Sequence, residues 1–366
     1  MQTELLSCDT PTSRARSIAR AAEFLRAARV VGFPTETVYG LGAIAENAVA
    51  EARLREVKGR ESDKPFTIMV ADRETVSKFV EFVSPLGRRL IDRCWPGPLT
   101  IVFPSRTPSP LGTRGENRDG KTVGLRLPAS EIAREMIRAS GGAVLAPSAN
   151  RSGEPPARTS QEVLAAFDGR IEAVLDGGPV ELGTPSTVVR VVRGDTYEIL
   201  RRGALSESRL RRAANTVVLF VCSGNSCRSP IAEALCRKTL AEKLKLGEEE
   251  LEEHGYTVLS GGIAGGFAAP ASESAIQVMR ELGVDISNHL SQTIDPEMLR
   301  HSDRIFVMTP TQMDQVLRSC PEVKGRVMLL DPKGRAVEDP HGGDLETYRR
   351  CAFVIKQALE KRTKEL

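Results

Sequence analysis

A chain of 366 residues, 40% apolar and 27% charged, has room for two packed domains and the composition of an ordinary globular protein. A net charge of +3 excludes nucleic-acid binding driven by bulk charge, and seven cysteines spread over this length exclude a disulfide scaffold. No apolar run suits a membrane span or a secretory h-region, so a reduced, cytoplasmic protein without membrane attachment is expected.

In chain order, the apolar spacing from Ser17 to Ala28 predicts a helix, and "RVVGF" a short strand. "FPTETVYGLGA" is too apolar and glycine-rich for a solvated loop. A helix is expected over Ala48–Val57. "VKGRESDKP" then sets Lys58, Arg60 and Lys64 within seven residues, which reads either as a solvated basic turn or as an anion site. Only twelve lysines stand against 39 arginines, so these lysines are notable. Further helices are expected over Arg73–Phe79 and Ser84–Cys94. Strands are expected at "PFTIMV", "LTIVF", "TVGLRL", "AVLA", "AVLD", "STVVRVV" and "YEILR". Helices mixed among strands predict an α/β sheet. Arg126 lies inside a buried-looking strand, which is costly unless it meets an anion. Ser148 and Asn150 flank a turn after a strand, a common place for ligand-binding groups. Arginines, lysines, Ser and Asn at strand ends point to a nucleotide phosphate site, although there is no Walker loop.

The polar, basic stretch "SESRLRRAAN" marks a boundary, giving domains over 1–205 and 215–366 with 206–214 as linker. All four histidines lie in the last third. The second domain alternates strand and helix: "TVVLFV", Ile231–Lys245, "YTVLS", Glu273–Leu282, "RIFVMT", a short helix after Thr311, "RVMLL" and Leu345–Lys361. That alternation predicts a parallel, doubly wound sheet.

Within it, "VVLFVCSGNSCRSPIAEAL" runs from a strand into a loop holding Cys222, Cys227 and Arg228. Ligands of open α/β sheets bind at the carboxyl ends of strands. Ser229 is expected to cap the following helix, with Pro230 at its first position. Gly224 and Asn225 allow tight backbone turns. Converging N–H groups, the helix dipole and Arg228 suit a tetrahedral oxyanion and favour the thiolate form of Cys222. The competing reading is a buried cysteine in a tight turn. No second Cys/His pair has zinc-like spacing, so no metal is expected. A sulfur nucleophile attacking phosphorus needs a general acid. Asp339, in the glycine-bearing loop "AVEDPHGGDLETYRR", is preferred over Asp331, which follows a strand directly and ends it. Cys227 borders the same loop and could resolve an oxidised Cys222 as a disulfide.

"FVCSGNSCRSPIAEAL", "LSGGIAG", "ISNHLSQ", "FVMTP" and "VEDPHGGDLETYRRC" together resemble the low-molecular-weight protein tyrosine phosphatase family, from about Asn215 to the end. The resemblance implies Cys222 as nucleophile, Arg228 as phosphate clamp, Asp339 as acid, Asn225 as shaper of the loop and Ser229 as hydrogen-bond partner of the thiolate. It also implies a phosphoprotein substrate and no metal. Phosphotyrosine and phosphoarginine both stay open. His341 stands where tyrosine-directed members often carry an aromatic residue. Ser226 stands where the arginine-directed branch has threonine, which makes it a candidate for selectivity.

The segments "FPTETVYGLGA", "VKGRESDKP", "CWPGPLTIVF", "TVGLRLPAS", "LAPSANRSGEPPART", "TPSTVVRV" and "EILRRGAL" resemble the YrdC-like threonylcarbamoyl-AMP synthases, over about Ser17 to Leu205. This implies a YrdC-like twisted α/β sheet. It also implies condensation of L-threonine, bicarbonate and ATP, with Mg²⁺, releasing pyrophosphate. The product would reach tRNA, as the t⁶A modification, through downstream proteins. By motif, Lys58, Arg60, Lys64, Ser148, Asn150 and Arg201 would hold ATP, with Thr122 a weaker candidate. Thr37, Arg126 and Ser186 would hold threonine. Arg190 departs from the family, which often has Asp after "STVV". The expected protein is thus a fusion of two enzymes. Its rivals are a non-catalytic RNA-binding first domain and an arsenate-reductase-like second domain. The latter needs two further cysteines, and the corresponding helix offers Cys320 alone.

Overall fold

The structure is a computed structural model that describes residues 2–59, 65–106, 122–151, 153–192, 196–264, 266, 268–364 and 366. The chain divides into two compact units, Met1–Ala213 and Ala214–Leu366.

The first unit contains, in order, β1 (Glu4–Ser7), α1 (Pro11–Arg26), β2 (Val31–Phe33), β3 (Gly40–Ile44), α2 (Ala48–Lys58), β4 (Ile68–Met69), α3 (Val76–Phe79), α4 (Pro85–Cys94), β5 (Leu99–Pro104), β6 (Thr122–Arg126), α5 (Glu131–Ala139), β7 (Val144–Leu145), α6 (Ser160–Phe167), β8 (Ala173–Asp176), β9 (Thr187–Val192), β10 (Thr196–Arg201) and α7 (Glu207–Ala214). The ten strands form one mixed sheet in the order β1-β8-β2-β3-β7-β4-β6-β5-β9-β10. The opening strand β1 has no counterpart in the sequence reading. Helix α1 starts well before Ser17, because Thr10 and Ser13 form a reciprocal capping box and Pro11 occupies the first turn. Helices α5 and α6 also add to the elements expected, each started by a hydroxyl cap, Ser130 and Thr159. The supposed linker 206–214 is mostly α7. Leu210 and Ala213 bury one face of it, so this basic stretch packs as a helix.

Strand order places three functional candidates together. β5 pairs antiparallel with β6 and parallel with β9, and β10 returns antiparallel to β9. The end of β6, the start of β9 and the end of β10 therefore share one edge of the sheet. Arg126, Ser186 and Arg201 occupy those three places.

The second unit contains β11 (Thr216–Cys222), α8 (Arg228–Leu244), β12 (Tyr256–Gly262), α9 (Glu273–Glu281), α10 (Pro296–His301), β13 (Arg304–Val307), α11 (Pro310–Ser319), β14 (Val327–Leu329) and α12 (Leu345–Arg362). Its four strands are all parallel, in the order β12-β11-β13-β14. Side chains of β11 alternate between two cores. Val218, Phe220 and Cys222 pack with residues of α8, α9 and α12, while Leu219 and Val221 pack with residues of α10 and α11. This is the physical content of a doubly wound sheet: an unbroken apolar strand buried on both faces. Phe220 stacks on Phe306 with ring centroids 5.5 Å apart. The chain leaves β11 for β12 on one side and returns to β13 on the other. The loop after β11 is thus the topological switch point, where such sheets bind ligands.

Candidate active sites

The loop from Cys222 to Ser229 is tied down at every turn. Asn225 adopts a left-handed backbone, with φ of +54°. Its side chain donates to Ser229 Oγ (2.9 Å) and Ser260 Oγ (2.8 Å) and accepts from Gln292 N (2.9 Å). Its carbonyl lies 2.8 Å from His289 Nε2. Cys222 Sγ accepts from Asn225 N at 3.3 Å and lies 2.9 Å from Ser229 Oγ. Since Ser229 Oγ accepts from Asn225, its own proton is available to the sulfur. Gly262 of β12 backs the loop: a Cβ there would stand 2.9 Å from Ser223 O and 3.0 Å from Gly224 C, so only glycine lets the loop lie this close. Burial pushes the Glu233 carboxyl up, beside Ser260 and His289. Ser260, His289 and Gln292 carry no local signal in the sequence because their contacts to the loop span 35 to 67 residues.

Helix α8 begins at Arg228 with Cys227 in the capping position, so Ser229 and Pro230 stand inside the first turn rather than at its start. The hydroxyl expected to cap the helix serves the sulfur instead. Arg228, 4% exposed, donates to Val337 O (3.2 Å), to Ser223 Oγ (3.4 Å) and to the Asp339 carboxylate. Nucleophile, clamp and acid candidates thus share one site. Asp331 instead binds Lys333 N and Arg335 at the end of β14. Cys227 Sγ contacts Ser272 Oγ (3.3 Å) and Tyr348 OH (3.4 Å), and Ser226 O accepts from Ser272 N at 2.9 Å. Cys351 nearby is pushed up to about 12 by burial. Cys320 belongs to the core on the opposite sheet face from Cys222, so it does not stand beside the loop as a redox partner.

In the first unit, a cavity of about 110 Å³ is lined by Arg126, Ser148, Ser186 and Arg201, with Tyr39 and Thr100. Arg126 donates to Gly97 O (3.2 Å), Glu36 Oε1 (2.6 Å) and Thr37 Oγ1 (2.9 Å). The anion that makes this strand arginine tolerable is therefore the Glu36 carboxylate, a residue the sequence reading passed over inside "FPTETVYGLGA". The Nη1 group of Arg126 has no protein partner among the described residues. Arg201 donates to Ser186 O (2.8 Å) and Oγ (3.1 Å), and Ser186 Oγ lies 2.9 Å from Thr100 Oγ1. Burial, and then the neighbouring Arg126 charge, pull Arg201 below the usual arginine range. Two guanidinium groups on one small cavity describe a site for an anion.

Lys58, at the last turn of α2, donates to Ser148 O (2.6 Å), Asn150 O and Asn150 Oδ1 (2.8 Å); Ser148 Oγ donates to the same Oδ1 at 2.5 Å. So Lys58, Ser148 and Asn150 form one cluster, continuous with the cavity through Ser148. Thr122 lies at the far end of β6, outside the cavity lining, with a buried hydroxyl that has no partner among the described residues. Arg60 and Lys64 lie outside the described residues. Arg190 pairs with Glu198 at 3.2 Å, directly across the β9–β10 ladder, a cross-strand pair that accounts for this departure locally. Among the described residues no group of three His, Cys, Asp or Glu side chains could hold a metal, and no helix is long and apolar enough to cross a membrane.

Comparison with known proteins matches residues 23–203 to the Sua5/YciO/YrdC family model, described as telomere recombination, and residues 217–366 to low molecular weight phosphotyrosine protein phosphatase. A threonylcarbamoyl-AMP synthase of Bacillus subtilis is 39% identical over 213 residues, 57% of this chain and 58% of that protein. Another, of Pyrococcus abyssi, is 32% identical over 322 residues, 83% of this chain and 89% of that protein. The solved structure of a double variant of Pyrococcus abyssi Sua5 superposes with a TM-score of 0.54 at 26% identity, covering 89% of this chain and 98% of that one. With its two sites on separate units, the chain belongs to the threonylcarbamoyl-AMP synthase family and fuses a Sua5/YrdC-type domain to a low molecular weight phosphatase domain.

Proposed function

We propose that the protein is a bifunctional enzyme. The first domain condenses L-threonine, bicarbonate and ATP to threonylcarbamoyl-AMP, releasing pyrophosphate, for delivery to tRNA by downstream proteins. The observation that carries this is the convergence of Arg126 and Arg201 on one cavity beside Lys58, Ser148 and Asn150. In this reading Arg126, Thr37 and Ser186 receive threonine. Lys58, Ser148, Asn150 and Arg201 receive ATP, with Arg60 and Lys64 as further ATP contacts and Thr122 a weaker one. Mg²⁺, lacking a cluster of protein ligands among the described residues, would ride on the phosphates of ATP.

The second domain removes a phosphoryl group from a phosphotyrosine or phosphoarginine side chain. Cys222 sulfur attacks phosphorus while Asp339 gives its proton to the departing oxygen or nitrogen. Water then cleaves the sulfur–phosphorus bond, returning a proton to Asp339. Arg228 and the loop N–H groups hold the three non-bridging oxygens, Asn225 keeps the loop in shape, and Ser229 steadies the sulfur. Ser226 contributes to leaving-group selectivity.

The full-length chain should release pyrophosphate only with threonine and bicarbonate present. Lys58→Ala should raise the ATP requirement by roughly 10- to 100-fold, the worth of one charged hydrogen-bonding group, while phosphatase turnover stays at the parent level. Release that ignores threonine would refute the synthase reading. Loss of both activities in a folded variant would refute independent sites.

Mild peroxide should oxidise Cys222 to a sulfenic acid, which the Cys227 thiol converts to a disulfide with loss of water. Dithiothreitol should then restore turnover, and Cys227→Ser should keep turnover but lose most of that recovery. Equal recovery in variant and parent would make Cys227 structural only.

A further inference from the structure

Gln312 sits in the first turn of α11, on an element without a role in the site as read so far. It is 3% exposed, so its amide cannot turn to water. The amide's orientation is settled by its neighbours. Oε1 accepts from Met308 N (3.0 Å) and Thr309 N (3.1 Å), both donors only. Nε2 must therefore face the other way, where it donates to Ser223 Oγ at 3.1 Å. Ser223 directly follows Cys222, and its Oγ also accepts from Arg228 Nη2 at 3.4 Å. Neither an amide nitrogen nor a guanidinium can accept a hydrogen bond. A hydroxyl oxygen that accepts from both must send its own proton elsewhere. Ser223 is exposed, and among the described residues its hydroxyl meets no acceptor. The direction left is the exposed side of the residue, open to solvent or to a bound ligand.

We propose that Gln312 is a positioning residue of the phosphatase site. It holds the Ser223 oxygen as an acceptor beside Arg228 and so aims the Ser223 proton at the phosphoryl oxygens. This inference rests on reading the Cys222 loop as a phosphoryl site. It adds a side-chain donor of fixed polarity to a cradle otherwise built from backbone N–H groups and one guanidinium.

The test reverses that polarity. In Gln312→Glu, one carboxylate oxygen keeps the bonds from Met308 and Thr309, and the other becomes an acceptor for Ser223. The hydroxyl proton then turns inward. Measured on the full chain, the inhibition constant of inorganic phosphate against an aryl phosphate substrate, and direct phosphate binding by calorimetry, should both weaken about tenfold. Ser223→Ala, at an exposed position that should not threaten folding, should weaken them by a similar factor. Ser223→Thr keeps the hydroxyl and should match the parent. Introduced into Ser223→Ala, Gln312→Glu should add less than about twofold, because the two residues act as one unit. A Gln312→Glu effect equally large without the Ser223 hydroxyl overturns the proposal, as does parental phosphate affinity in Ser223→Ala. A parent chain that neither hydrolyses the aryl phosphate nor binds phosphate overturns the phosphatase reading itself, and this inference with it.

Discussion

Cys222→Ser is expected to lower phosphatase turnover by on the order of 10⁴-fold or more, the scale on which removing a nucleophile disables a site whose members act together. Phosphate binding should survive. In the proposed mechanism the oxyanion would be held by loop N–H groups, the amino end of α8 and Arg228, and of these only Asn225 N bonds to the sulfur. The loop itself is kept by Asn225, through Ser229, Ser260 and Gln292. A serine hydroxyl in place of the thiol can still accept from Asn225 N. Turnover by burst kinetics and phosphate binding by calorimetry separate the two effects. Retained turnover would remove Cys222 as nucleophile. Lost phosphate binding would mean that the sulfur, and not Asn225, maintains the loop.

Arg126→Met is expected to destabilise the first unit and abolish its synthesis, for two separable reasons. The Glu36 side chain is only 8% exposed, and Arg126 is its ion-pair partner at 2.6 Å. Its carboxylate also accepts from Ala129 N (3.0 Å) and Ser130 N (3.4 Å), so it ties the end of β6 to the start of α5. Removing the arginine leaves a buried charge uncompensated, a loss of about 3–5 kcal/mol, which for a unit of this size lowers the melting temperature by roughly 10 °C. Adding Glu36→Gln neutralises the orphaned carboxylate and should restore most of that stability. It should not restore threonine-dependent pyrophosphate release, because the second guanidinium of the cavity would still be missing. A stable Arg126→Met chain would show that the ion pair carries little weight. A double variant that regains synthesis would show that threonine does not need Arg126.

The two predictions rest on different amounts of sequence information. The Cys222 loop was legible because its pattern is local: the candidate nucleophile, the turn residues and the candidate clamp lie within eight positions, after an apolar strand and before a helix. Even there, the cap was misplaced. Ser229 is an ordinary capping residue by its local pattern, but in the folded chain its oxygen is engaged by Asn225 and faces the sulfur, and Cys227 takes the end of the helix. In the first unit the sequence could say that Arg126 must meet an anion, but not which one. Glu36 stands 90 residues away and reaches it only because the sheet brings β6 against the turn before β3.

By itself, the sequence determined the two families, the division into two α/β units, and the candidate residues proposed for each chemistry. Strand periodicity, loop composition and short motifs are properties of neighbouring residues. Only the tertiary structure decided that the basic stretch before Ala214 packs as a helix, that Thr122 falls outside the cavity lining, and that Cys320 lies on the far sheet face from Cys222. It alone brought Gln312 to Ser223, 89 residues away. Those outcomes depend on strand order and register, which set the distances between segments remote in the chain.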